Sequence, residues 1–117
     1  MNKIVNFHVV SDPVWFEEVI LFLKSRYKMI SIQSLHEYMS GDVEVGNLCH
    51  ITVDDGDKTF YENIYPVLKK HNVPASLFVS PKICEGKCNF WFQEIVGYDQ
   101  IELIEIITNV SGIPYTS

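Results

Sequence analysis

Short apolar, β-branched runs alternate along this chain with segments of helical period, which predicts an α/β fold built on a parallel sheet. Two further observations agree. Cap and turn residues stand between the runs where a strand-to-helix crossover needs them, as in Asp12-Pro13 and Asn72-Val73-Pro74. The length, 117 residues, suits one domain with one hydrophobic core. The pattern does not decide between an open sheet and a barrel.

The first strand is expected over Lys3 to Val10 as a buried strand. Asp12 then caps a helix with Pro13 at its first position, and Phe16, Val19, Ile20 and Leu23 recur at helical spacing. Met29 to Ile32 is a second strand. Ser34 with Glu37 makes a capping box for a short helix through Met39, and Gly41 to Asn47 is a loop. Leu48 to Val53 is the third strand. Thr59 with Glu62 is a second capping box, for a helix to about His71 that ends before Pro74. Ala75 to Val79 is the fourth strand, Cys84 to Asn89 a loop, and Asp99 to Thr108 a helix.

An apolar fraction of 47% without low-complexity tracts belongs to a folding chain, not a disordered one. The net charge of -6 argues against nucleic acid or anionic membrane surfaces, which select basic faces. The N-terminal stretch MNKIVNFHVVSD is too polar for a signal-peptide core, and no segment has the length of a membrane span. Cys49, Cys84 and Cys88 are an odd count, so free thiols and a cytoplasmic location are expected.

The chemistry concentrates in ITVDDGDKTF, residues 51–60, where Asp54, Asp55 and Asp57 follow directly on the third strand. Functional side chains of parallel α/β folds gather at this carboxyl edge of the sheet. The plainest reading is one helix cap and two solvated acids. Against it, adjacent carboxylates at a strand end repel one another unless a cation or hydrogen-bond donor offsets them. Two chemistries suit such a cluster. In one, a carboxylate ligates a divalent metal and its neighbour acts as general base. In the other, Asp55-Gly56-Asp57-Lys58-Thr59 is the D-x-D-x-T pattern of haloacid-dehalogenase-like phosphatases, with Asp55 as nucleophile and Asp57 as acid/base.

The stretch from His50 to Pro81 separates them. Thr52-Val53-Asp54-Asp55-Gly56, Tyr65-Pro66-Val67-Leu68-Lys69-Lys70 and Val73-Pro74-Ala75-Ser76-Leu77-Phe78-Val79 stand in order and at matching spacing. Together they closely resemble the first motif block of the polysaccharide deacetylases, the NodB-homology domain of carbohydrate esterase family 4. Upstream, Phe7-His8-Val9-Val10, the helix to Tyr27 and Met29 to Leu35 occupy the places of an aromatic-His strand, a helix and a V-S-L-x-E-L-like segment in many members of the family.

The resemblance implies that residues 1–117 are a partial deacetylase domain, the N-terminal half of an irregular (β/α) barrel. It makes Asp54 the general base and Asp55 a ligand to a divalent metal, commonly zinc, in hydrolysis of acetyl groups on a sugar polymer. Gly56 turns the backbone away, and Asp57 becomes a loop acid. The family's further ligands come from a His-Ser/Thr-x-x-x-His segment, but no histidine follows His71 and no arginine follows Arg26. The chain is thus expected to be an incomplete portion, inactive by itself, that self-associates to cover its open strand edges. A non-catalytic relative of the fold and the phosphatase are the competing readings.

Other residues have plainer roles. Cys84-x-x-x-Cys88 is not a standard zinc knuckle. His8 reads as a core or rim histidine with a hydrogen-bond partner, against the alternative of lining the site. His50 reads as structural, and Phe90-Trp91-Phe92 as core rather than a sugar-stacking surface.

Overall fold

A computed structural model of the chain describes residues 1–41, 46–90, 96 and 99–112. It comprises two compact units, Met1–Ser80 and Pro81–Ser117. The first contains β1 (Lys3–Phe7), α1 (Pro13–Arg26), β2 (Lys28–Met29), α2 (Ile32–Met39), β3 (Leu48–Val53), α3 (Tyr65–Lys70) and β4 (Ala75–Leu77). The second holds α4 (Pro81–Cys84) and α5 (Gln100–Ser111).

All pairings in the four-stranded sheet are parallel, as the alternation predicts, and β3 is its centre. β1 runs along one edge of β3, from Lys3 opposite Cys49 to Phe7 opposite Val53. The other edge is shared: β2 pairs with Leu48 and Cys49, β4 with Ile51 to Val53. The period of two along each strand then sorts the side chains. Val5, Phe7, Cys49, Ile51 and Val53 face the helices and pack with Phe16, Ile20 and Leu23 of α1 and with Ile64, Val67 and Leu68. Asn6, His50, Thr52 and Ser76 lie on the opposite face, joined by the Thr52–Asn6 and His50–Ser76 hydrogen bonds.

Caps explain where the helices begin. Asp12 accepts from the Val14 and Trp15 N–H groups at 2.9 and 3.1 Å, with Pro13 in the first turn as expected. Glu17 of α1 accepts from Lys70 Nζ at 2.7 Å and from His71 Nε2 at 2.5 Å, tying α1 to the end of α3. Asn72 closes α3 in the left-handed region at φ 51°, and Val73 N–H bonds back to Leu68 C=O.

Several boundaries differ from expectation. β1 pairs only to Phe7 and is not buried: its residues alternate between half-buried and exposed, with Ile4 58% accessible. Among the described residues it has a strand neighbour on one side only. β2 is two residues long, because Ser31 rather than Ser34 caps α2, accepting the Ser34 N–H at 3.2 Å. That cap takes Ile32 into the helix. β4 ends at Leu77, two residues early.

The helix after the aspartates is also corrected. Thr59 is already helical and its side chain caps nothing; Asp57 accepts the Thr59 N–H at 2.8 Å and opens the helix at Lys58. Between Phe60 and Ile64 the turns widen, and Tyr65 N–H reaches the Phe60 carbonyl five residues back. Pro66 accounts for this, since it has no N–H to give and its ring crowds the carbonyl four residues before it.

In the second unit, Asp99 caps α5 through Ile101 and Glu102 N–H. The helix runs three residues beyond the expected Thr108 to Ser111, where Gly112 at φ 67° ends it. Phe90 is half-buried, whereas Trp91 and Phe92 lie outside the described residues.

Candidate active site

β3 ends at Val53, and the next residues form a tight turn. Gly56 N–H bonds to Asp54 C=O at 2.9 Å, placing Asp55 at the apex with φ 71°, followed by Gly56 at φ 69°. A non-glycine residue in the left-handed region costs roughly 1 kcal/mol, and short polar Asp or Asn side chains tolerate it best. The turn therefore sends Asp54 and Asp55 out at the carboxyl edge of the sheet, each about a third exposed.

Register brings β1 to them. Asn6 lies opposite Thr52, so two residues further along each chain His8 and Asp54 meet on the same face. Thr52 Oγ1 donates to Asn6 Oδ1 at 2.8 Å, and Asn6 Nδ2 donates to Asp54 Oδ2 at 2.8 Å. Asn6 Nδ2 is also 3.2 Å from His8 Nε2. The His8 ring lies between the two carboxylates, with Nδ1 3.4 Å from Asp55 Oδ2 and Nε2 3.5 Å from Asp54 Oδ2. Asn6 Nδ2 is a donor of the kind the adjacent carboxylates require.

Of the sequence-predicted site residues, Asp54 and Asp55 are thus brought together, and Asp57 is turned to another task. Its carboxylate binds the start of the next helix, and the Thr59 N–H and hydroxyl hold its carboxyl below the usual range. His8 is a rim residue with partners, 60% exposed, and it lines the candidate site. His50 is structural: at 1% exposure its ring bridges Ile30 C=O, to which Nδ1 donates at 2.7 Å, and Ser76 Oγ at 2.9 Å. Asn6 and Thr52 went unnoticed from sequence. The available signal was two polar residues, Asn6 and His8, spaced by two in an otherwise apolar strand.

Residues 43–98 match the polysaccharide deacetylase family model. This region belongs to that family. Poly-β-1,6-N-acetyl-D-glucosamine N-deacetylase of Staphylococcus aureus (strain MSSA476) is 37% identical over 79 residues, covering 67% of this chain and 27% of that protein. The enzyme of the same name from Staphylococcus epidermidis (strain RP62A) is 28% identical over 102 residues, 86% of this chain and 34% of its own length. The chain thus spans about a quarter to a third of these curated relatives. Among solved structures, IcaB from Ammonifex degensii superposes with TM-score 0.63 at 26% identity, over 67% of this chain and 37% of that one. A de-N-acetylase from Aggregatibacter actinomycetemcomitans shares the fold, with TM-score 0.60 at 17% identity over 97% of this chain and 52% of its own. The fold is accordingly α/β, the N-terminal portion of the deacetylase (β/α) barrel, and the family model that matches is the polysaccharide deacetylases'.

A catalytic zinc takes three protein ligands and an open position. Among the described residues no group of three or more His, Cys, Asp or Glu side chains is arranged to hold a metal ion.

Proposed function

We propose that the protein is a polysaccharide N-deacetylase that hydrolyses N-acetyl groups on a β-linked N-acetylglucosamine polymer, and that this chain supplies one side of its active site. The observation that carries the reading is the Asp54–Asp55 pair, held at the carboxyl edge of β3 inside the region that matches the family. Asp54 accepts the proton of the water that adds to the acetyl carbonyl, and acetate leaves as the amine is freed. Asp55 is the residue of this chain that ligates a divalent metal such as zinc, and the other ligands come from another part of the domain.

The test uses the protein carrying the whole domain. Acetate release from poly-β-1,6-N-acetylglucosamine should fall at least about 100-fold in Asp54→Asn, and zinc binding measured by calorimetry should be lost in Asp55→Asn. A wild type that binds no metal and releases no acetate would overturn the proposal. That result would favour a non-catalytic relative of the fold, a reading supported by the incomplete ligand set among the described residues.

The same incompleteness bears on assembly. Among the described residues β1 has one edge without a strand partner, and Ile4, Phe78 and Val79 are exposed near the sheet. We propose that this chain on its own associates to cover them. Sedimentation at increasing concentration should show dimers or larger species, and a monomer throughout would refute it.

A further inference from the structure

The hydrogen-bond donors around Asp54 form a chain whose directions are determined. An ionised carboxylate only accepts, so the Asn6 amide must turn its Nδ2 toward Asp54 Oδ2; the flipped amide would set two oxygens 2.8 Å apart. Asn6 Oδ1 then faces Thr52, whose hydroxyl must donate to it. Asn6 Nδ2 lies 3.2 Å from His8 Nε2, and the hydrogen it does not give to Asp54 is free for that nitrogen, which accepts when it takes it. A neutral His8 therefore carries its proton on Nδ1, the nitrogen facing Asp55 Oδ2 at 3.4 Å.

From this we infer that Asn6, oriented by Thr52, is a positioning residue: one amide fixes the Asp54 carboxylate and sets the tautomer of His8. The inference deepens the deacetylase reading and rests on it for the role of Asp54. Asn6 sits in the regular part of β1, in register with Thr52, so both groups are carried by paired strands rather than by the turn. A base delivered on a strained turn gains a fixed direction from such an anchor.

Two measurements test it. In the ¹⁵N-labelled chain, long-range ¹H–¹⁵N correlation of the neutral His8 ring should show Nδ1 protonated and Nε2 bare. In Asn6→Leu the Nε2–H form should gain population, because Nε2 loses its donor and finds Asp54 Oδ2 3.5 Å away as an acceptor. An Nε2–H ring in the wild type, or a tautomer unmoved by Asn6→Leu, would overturn the assignment. In the protein carrying the whole domain, Asn6→Leu should lower kcat about 10- to 100-fold with KM changed less than about twofold. Thr52→Val, which keeps the strand's shape, should lower kcat in the same direction by less, and it serves if Asn6→Leu fails to fold. Unchanged kcat in both folded variants, with an active wild type, sinks the positioning role alone. An inactive wild type instead removes the deacetylase reading, and the tautomer measurement then decides whether Asn6 holds this network.

Discussion

Asp55 shows how a single position carries two demands. It stands at φ 71°, where a β-carbon is strained, and it presents a carboxylate at the sheet edge. Asparagine keeps the short polar side chain that tolerates this backbone, so Asp55→Asn isolates the charge, whereas Asp55→Ala should also lose roughly 1 kcal/mol of stability by thermal melting. Asp57 has a different role. As the cap of the helix at Lys58 it should lose about 1 kcal/mol on mutation to Ala. Its carboxyl is held below the usual range by Thr59, and that of Glu17 by Lys70 and His71. A depressed folded pKa means stability fully present above the unfolded value near about 4 and lost as pH falls through the folded one. Acid titration of stability should therefore show a decline beginning below about pH 4, shallower in Asp57→Ala.

At the scale of elements, packing depends on which face of each strand meets α1. Phe16 is fully buried and meets Phe7 edge-on with ring centroids 5.0 Å apart. Phe16→Ala should cost about 3–5 kcal/mol, enough to unfold most molecules of a marginally stable unit, as read by loss of helical circular dichroism. Cys49 on β3 is buried and its thiol is pushed up by desolvation, while Cys84 and Cys88 are exposed. A thiol reagent should modify two groups rapidly in the native chain and the third only on denaturation. The element boundaries that sequence misjudged have local causes. Two serines compete to cap α2, and the nearer to β2 holds the Ser34 N–H; Pro66 sits inside a helix that continues by widening rather than stopping.

At the scale of the molecule, the chain carries the family's aspartate-bearing region but spans about a quarter to a third of the curated relatives. Among the described residues, four parallel strands leave β1 with one partner and leave polar Asn6, His8 and Asp54 along an exposed face. The proposed self-association and the proposed supply of further metal ligands from elsewhere in a whole domain both rest on that open arrangement among the described residues. On the proposed reading, a protein carrying a whole domain should lack the self-association and bind metal where residues 1–117 alone do not, and sedimentation with calorimetry on the two lengths checks it.

Sequence alone determined the alternation of strands and helices, the exact extent of β3, and the location of Asp54 and Asp55 just beyond it. Those features rest on period, caps and turn residues, which act between near neighbours. Tertiary structure decided that β3 is central and that β1 lies in register beside it. That register carries Asn6 to Asp54 across 48 residues of chain and His8 to Asp55 across 47. Parallel pairing joins segments through a crossover and is specified by the fit of buried faces, so no local pattern in β1 announces which carboxylates its two polar residues will meet.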